Sequence, residues 1–120
     1  AGDIALLRKL LSKIVCDDAL IEYIVSLIAV TRPDPDKKAS VHDITRYIAF
    51  GASPRAGIAL LQCAKAAALF QGRSFVLPED VKLAAPAVMR HRLVLSYEAA
   101  ADSVTADEII SRILDFVPVP

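Results

Sequence analysis

The sequence predicts an all-α domain, a small bundle of about five helices with short extended segments. Three observations carry that prediction. Apolar residues recur at three- and four-residue spacing in several separate segments. Most of those segments open on a capping residue or a proline. The composition, 55% hydrophobic and 23% charged with no tryptophan, suits a compact helical protein rich in alanine and leucine rather than a disordered chain. A length of 120 residues corresponds to one domain with a modest core.

The first segment, DIALLRKLLSKI, sets Ile4, Leu7, Leu11 and Ile14 on one face with Arg8, Lys9, Ser12 and Lys13 opposite, and Asp3 reads as its cap. Asp17 caps a second helix, DALIEYIVSLIAVTR, whose polar stripe of Asp18, Glu22 and Ser26 is narrow, so most of its circumference is expected to be buried. Pro33 and Pro35 end it, and RPDPDKKAS is a loop. In SVHDITRYIAF, Ser40 and Asp43 resemble a capping box, while Ile44, Tyr47 and Ile48 fit a short helix or a strand-like turn; the segment is assigned as a short helix.

The third strong helix runs from Ser53 to about Gln71. Ile58, Leu60, Leu61, Ala64, Ala68 and Leu69 form its apolar arc, Arg55, Gln62 and Lys65 its polar side, and Gly72 its stop. SFVL is extended and leads to Pro78-Glu79-Asp80, a helix start with acids where the helix dipole favours them. Pro86 should end or kink that helix near Ala85. Leu93 to Ser96 alternate as an extended stretch, and Thr105 with Glu108 forms a capping box for the last helix, carried by Ile109, Ile110, Ile113, Leu114 and Val117. There is no internal repeat.

Fourteen basic residues balance fourteen acidic ones, so the charge favours neither nucleic acid nor an anionic membrane as partner. No apolar run reaches the roughly 18–20 residues of a membrane span. No signal-peptide pattern is present, and the expected compartment is the cytoplasm. Cys16 and Cys63 read as small, reduced core residues, and His42 and His91 lack metal-ligand spacing. No phosphate-binding glycine loop and no nucleophile-base set with family context occurs. The acid pairs Asp17-Asp18, Glu79-Asp80 and Asp107-Glu108 all fall at helix starts and read as caps and dipole partners.

One short stretch resists that plain reading. In GASPRA, Gly51 to Ala56, Ser53 is a good N-cap and Pro54 suits the first helical position. Arg55 then lies in the first turn, where the dipole disfavours a cation by roughly 0.3–1 kcal/mol. The free N–H groups of that turn attract anions, and an arginine adds a bidentate donor for phosphate oxygens, so the two agree once an anion arrives. The plain alternative is a solvated arginine after an ordinary Ser-Pro start.

GASPRA, then IALLQCAKAAALFQGRSFVLPEDVKLAAPAVMRHRLVLSYEA, flanked by YIVSLIAVTRP and VTADEIISRILDFVPVP, closely resembles the C-terminal lid domain of MoxR-type AAA+ ATPases. The resemblance covers about Val15 to Pro120, and residues 1–120 are taken as a single lid, a fragment of a longer ATPase whose core domain is absent. It implies a helical bundle of the AAA+ lid type. It also implies that Arg55 is the sensor 2 residue, reaching the γ-phosphate of ATP held, with Mg2+, by the core domain, while the Ser53 hydroxyl fixes the turn that aims it. His91 and Arg92 match the family's H-R pair, with a contact to the core or to a neighbouring subunit, or a cap on the kinked helix end, as their alternatives. Leu77 departs from the threonine such sequences often carry before P-E-D-V, a lost N-cap with a cost of roughly 1 kcal/mol. Family members form rings, commonly hexamers, and act as chaperone-like machines that mature a client protein complex; the fragment alone should not hydrolyse ATP. A stand-alone helical interaction module with an exposed apolar groove is the alternative function, and a DNA-binding bundle is disfavoured by the zero net charge.

Overall fold

The computed structural model describes residues 2–32 and 46–120. Among these the chain forms helices α1 (Gly2–Ser12), α2 (Asp18–Val30), α3 (Pro54–Phe70), α4 (Pro78–Met89), α5 (Tyr97–Ala101) and α6 (Ala106–Phe116). Strand β1 (Ile48–Phe50) pairs antiparallel with β2 (Val94–Leu95), matching Ile48 with Leu95 and Phe50 with Val94 across one irregularity. The all-α expectation holds, with six helices and one small strand pair among the described residues.

The core lies where α2, α3, α4 and α6 meet. Leu27 of α2, Leu60 of α3, Met89 of α4 and Ile109, Ile110 and Ile113 of α6 are fully enclosed. The small side chains Ala56, Ala64 and Ala68 form the buried stripe of α3, and α4 packs along α3 more extensively than any other element.

The termini follow local chemistry. α3 ends in a Schellman motif: Gly72 adopts φ +72°, its N–H reaches the Leu69 carbonyl at 2.9 Å, and the Arg73 N–H reaches the Ala68 carbonyl at 2.9 Å. Thr105 caps α6, its hydroxyl accepting from the Glu108 N–H at 3.2 Å. Asp17 and Ser53 occupy N-cap positions, and neither side chain makes a capping bond. A parallel bridge between Val15 and Phe75 ties the α1–α2 link to the extended segment before α4.

Several expectations need correction. Asp3 lies inside the first turn of α1 and is not its cap, and α1 buries no residue. The exposed side of α2 is wider than its polar residues, because Ile21 and Val25 also face outward. Ile58 is exposed in the same way on α3. Cys63 is exposed, since Ala64 takes the core position beside it, and Cys16 is half-buried; both thiols are free. Burial pushes the Cys16 thiol above its ordinary range.

Residues 48–50 form a strand rather than the end of a short helix, held by Leu95 and by the Ser96 N–H on the Tyr47 carbonyl at 2.9 Å. Arg46 and Tyr47 form a turn ahead of the strand, while residues 40–45 of that predicted helix, His42 among them, and the preceding proline-rich loop from Pro33 lie outside the described residues.

Pro86 does not end α4, which continues to Met89. Proline removes one backbone bond, but burial of Val88 and Met89 beyond it offsets the loss. The missing cap at Leu77 is compensated from within the helix, because the Asp80 carboxylate accepts from the Leu77 N–H at 2.8 Å. The short helix α5, not among the expected elements, fills the space between β2 and α6.

Candidate functional site

The GASPRA turn is built where β1 leaves the strand pair and α3 begins. Pro54 supplies the fixed φ of the first helical position, and the Ala56 N–H bonds to the Ser53 carbonyl at 2.9 Å, closing the first turn. Arg55 projects from that turn into solvent and, among the described residues, makes neither a hydrogen bond nor an ion pair. No acidic residue stands in the first turn of α3 to neutralise it. An exposed guanidinium therefore stands at the positive end of a helix, where its N–H groups can donate to anionic oxygens.

The turn is held from behind by the end of α2. Thr31 is 0% exposed, and its hydroxyl accepts from the Ala52 N–H at 2.9 Å while donating to the Ile28 carbonyl at 2.6 Å. Gly51 passes so close to Thr31 that a Cβ there would collide with the Thr31 carbonyl. Gly51 is therefore a close-approach glycine as well as a break before the helix. Ser53 stands at the expected position, exposed, with no capping bond from its hydroxyl, so the observed restraint on the turn comes from Thr31.

Beside the turn runs a mainly apolar groove of about 210 Å³, lined by Val25, Ile28, Ala29 and Arg32 on one side and Pro54 and Gly57 on the other. A Cβ at Gly57 would stand 3.7 Å from Ile28, so the glycine deepens the groove without being sterically required.

The other sequence-marked residues lie elsewhere. Arg92 donates to the Val88 carbonyl at 2.7 Å, capping the C-terminal end of α4, while His91 beside it is exposed. Arg90 pairs with Asp107 at 2.7 Å, linking α4 to the start of α6. No group of three or more His, Cys, Asp or Glu side chains among the described residues could hold a metal ion, and no helix there is long and apolar enough to cross a membrane. Sequence reasoning missed Thr31; the only local signal was a polar residue directly after an apolar helix, which reads equally well as an ordinary helix end.

A model of the AAA lid domain matches residues 42–113. The chaperone MoxR1 of Mycobacterium tuberculosis is 37% identical over 99% of this chain and 31% of its own length. The protein MoxR of Methylorubrum extorquens is 32% identical over 87% of this chain and 31% of its own. A crystal structure of a proposed ATPase from Cytophaga hutchinsonii superposes with a TM-score of 0.89 at 36% identity, over 99% of this chain and 36% of that one. The chain thus spans about a third of the length of the curated relatives it matches. With its helical bundle, the match to the lid model and the MoxR relatives along nearly its whole length, the chain belongs to the AAA lid domain family and is a lid of the MoxR type.

Proposed function

We propose that this lid senses nucleotide through Arg55, as the sensor 2 arginine directed at ATP and Mg2+ held by the core domain of a longer MoxR-type ATPase. The observation that carries the reading is an exposed arginine, free of partners among the described residues, at the start of a helix with no acid in its first turn. Those residues fit part of a polyphosphate site: they supply donors for anionic oxygens and no metal ligands, which the core would provide. Bound nucleotide supplies the phosphoryl group. The lid's part is to place a positive charge where negative charge accumulates and to let that contact govern how the lid sits against the core. Ser53, at the N-cap of the same turn, completes the nucleotide-facing set. Hydrolysis in a ring of such subunits would then drive the remodelling or maturation of a client complex.

The test is ATP turnover by the longer protein, wild type against Arg55→Ala, with nucleotide affinity measured alongside. Turnover is expected to fall by about tenfold or more, on the order of the loss when a transition-state donor is removed, with the fold intact. Unchanged turnover would reduce Arg55 to a solvated surface residue.

A second reading has its own observation. Phe70 is 83% exposed and Leu83 72%, and both line an apolar groove with Cys63, Ala66, Ala67 and Ala87 between α3 and α4. An interaction module would use such residues, would be indifferent to Arg55, and would lose partner binding on Phe70→Ala.

A further inference from the structure

We propose that Thr31 is a positioning residue for Arg55, its hydroxyl fixing the turn before α3 so that the end of α2 sets where the guanidinium stands. This rests on the sensing role of Arg55 given above. The hydroxyl is engaged on both sides, donating to the Ile28 carbonyl at 2.6 Å and accepting from the Ala52 N–H at 2.9 Å. The two bonds are not equivalent. The Ile28 carbonyl also accepts the Thr31 N–H at 3.1 Å and stays satisfied without the hydroxyl. The Ala52 N–H is buried and donates to that hydroxyl.

Little slack separates that anchor from the guanidinium. Ala52 is 2% exposed, Gly51 is pressed against the Thr31 backbone, Pro54 has a fixed φ, and the Ala56 N–H is bonded to the Ser53 carbonyl. Displacement of the α2 end therefore carries the turn with it, while release of Ala52 lets the turn shift with α2 in place. Small errors in donor placement matter because stabilisation of developing charge depends on pre-set geometry.

The experiment compares ATP turnover of the longer protein as wild type, Arg55→Ala, Thr31→Val, Thr31→Ser and the Thr31→Val/Arg55→Ala double variant. Valine keeps the buried volume and removes the hydroxyl; serine keeps the hydroxyl. Thr31→Val should lower turnover about fivefold or more and Thr31→Ser should restore most of it, whereas in the Arg55→Ala background Thr31→Val should add nothing, because non-additivity marks residues acting through one another. A purely structural contact would cost the same factor in both backgrounds, and that result would overturn the proposal, as would full turnover in Thr31→Val.

Unchanged turnover in Arg55→Ala would sink the sensing role itself, and positioning with it. Gly51→Ala displaces the same contact from the opposite side and should show the same non-additivity, which guards against a valine variant that folds poorly. Amide exchange at Ala52 in the 120-residue chain reads the anchor without ATP: it should accelerate in Thr31→Val and not in Thr31→Ser.

Discussion

At Thr31, Gly51 and Arg55 each residue type answers a different physical demand. A hydroxyl satisfies a buried amide, an absent Cβ permits backbone contact, and a guanidinium stands exposed at a helix start. Gly51→Ala should destabilise the fold by about 1–3 kcal/mol, the usual cost of forcing atoms into a filled site, because the neighbouring group is backbone and cannot swing away. A urea denaturation midpoint unchanged from wild type would show that the turn has room to spare. The place of Arg55 at an exposed helix start was legible from sequence, because Ser53 and Pro54 mark that start on local grounds alone. Thr31 was not, since its bond to Ala52 joins positions 21 apart and nothing in LIAVTRP distinguishes a tertiary anchor from a helix end. Cys63 failed for a related reason: on an alanine-rich helix several faces look equally apolar, and packing selects Ala64.

At the scale of elements, local signals located helix ends well and pairing poorly. Gly72 and Thr105 act as the stop and start their chemistry indicates. Strand β1, only Ile48–Phe50, was not legible because its partner β2 lies beyond two intervening helices. Pro86, expected to end or kink α4, does not end it, because the burial of Val88 and Met89 beyond it outweighs the lost backbone bond. Helix α5 closes with the same hydrogen-bond pattern as α3: the Val104 N–H meets the Ala99 carbonyl at 2.8 Å and the Ser103 N–H meets the Ala100 carbonyl at 3.2 Å. There, however, the left-handed position is occupied by Ser103, at φ 55°. Such a conformation costs a residue with a Cβ about 1–2 kcal/mol, part of which glycine's larger unfolded-state entropy cancels. Ser103→Gly is therefore expected to stabilise the domain by about 0.5–1 kcal/mol. Thermal melting of the two proteins side by side decides it, and a lower midpoint for the glycine variant would refute the strain argument.

For the molecule as a whole, one ion pair spans the junction between its two most closely packed helices. Arg73 grips Asp80 through two bonds of 2.7 Å, and Asp80 is 3% exposed. The Arg73 guanidinium holds the Asp80 carboxyl below its usual range; burial opposes that, and the Leu77 N–H assists it. Because the folded value lies below the unfolded one, the contribution is fully present above the ordinary aspartate value of 3.8 and is lost as pH falls through the lower folded value. Melting temperature followed from pH 7 down to about 2 should fall more steeply for wild type than for Asp80→Asn below about pH 4. Parallel curves would mean the pair contributes nothing specific.

The strand pair carries a further consequence, for the order in which the molecule assembles. Ile48 meets Leu95 only after α3 and α4 have folded back on each other, because the chain between them is those two helices and their link. Closing a long loop costs entropy that local helix contacts do not, so the helical hairpin is the early event and the strand pair the late one. GASPRA leaves directly from β1 and is therefore among the last segments to settle. Its geometry is an output of completed folding, and damage anywhere along α3 and α4 would slow its arrival without touching a residue of the turn.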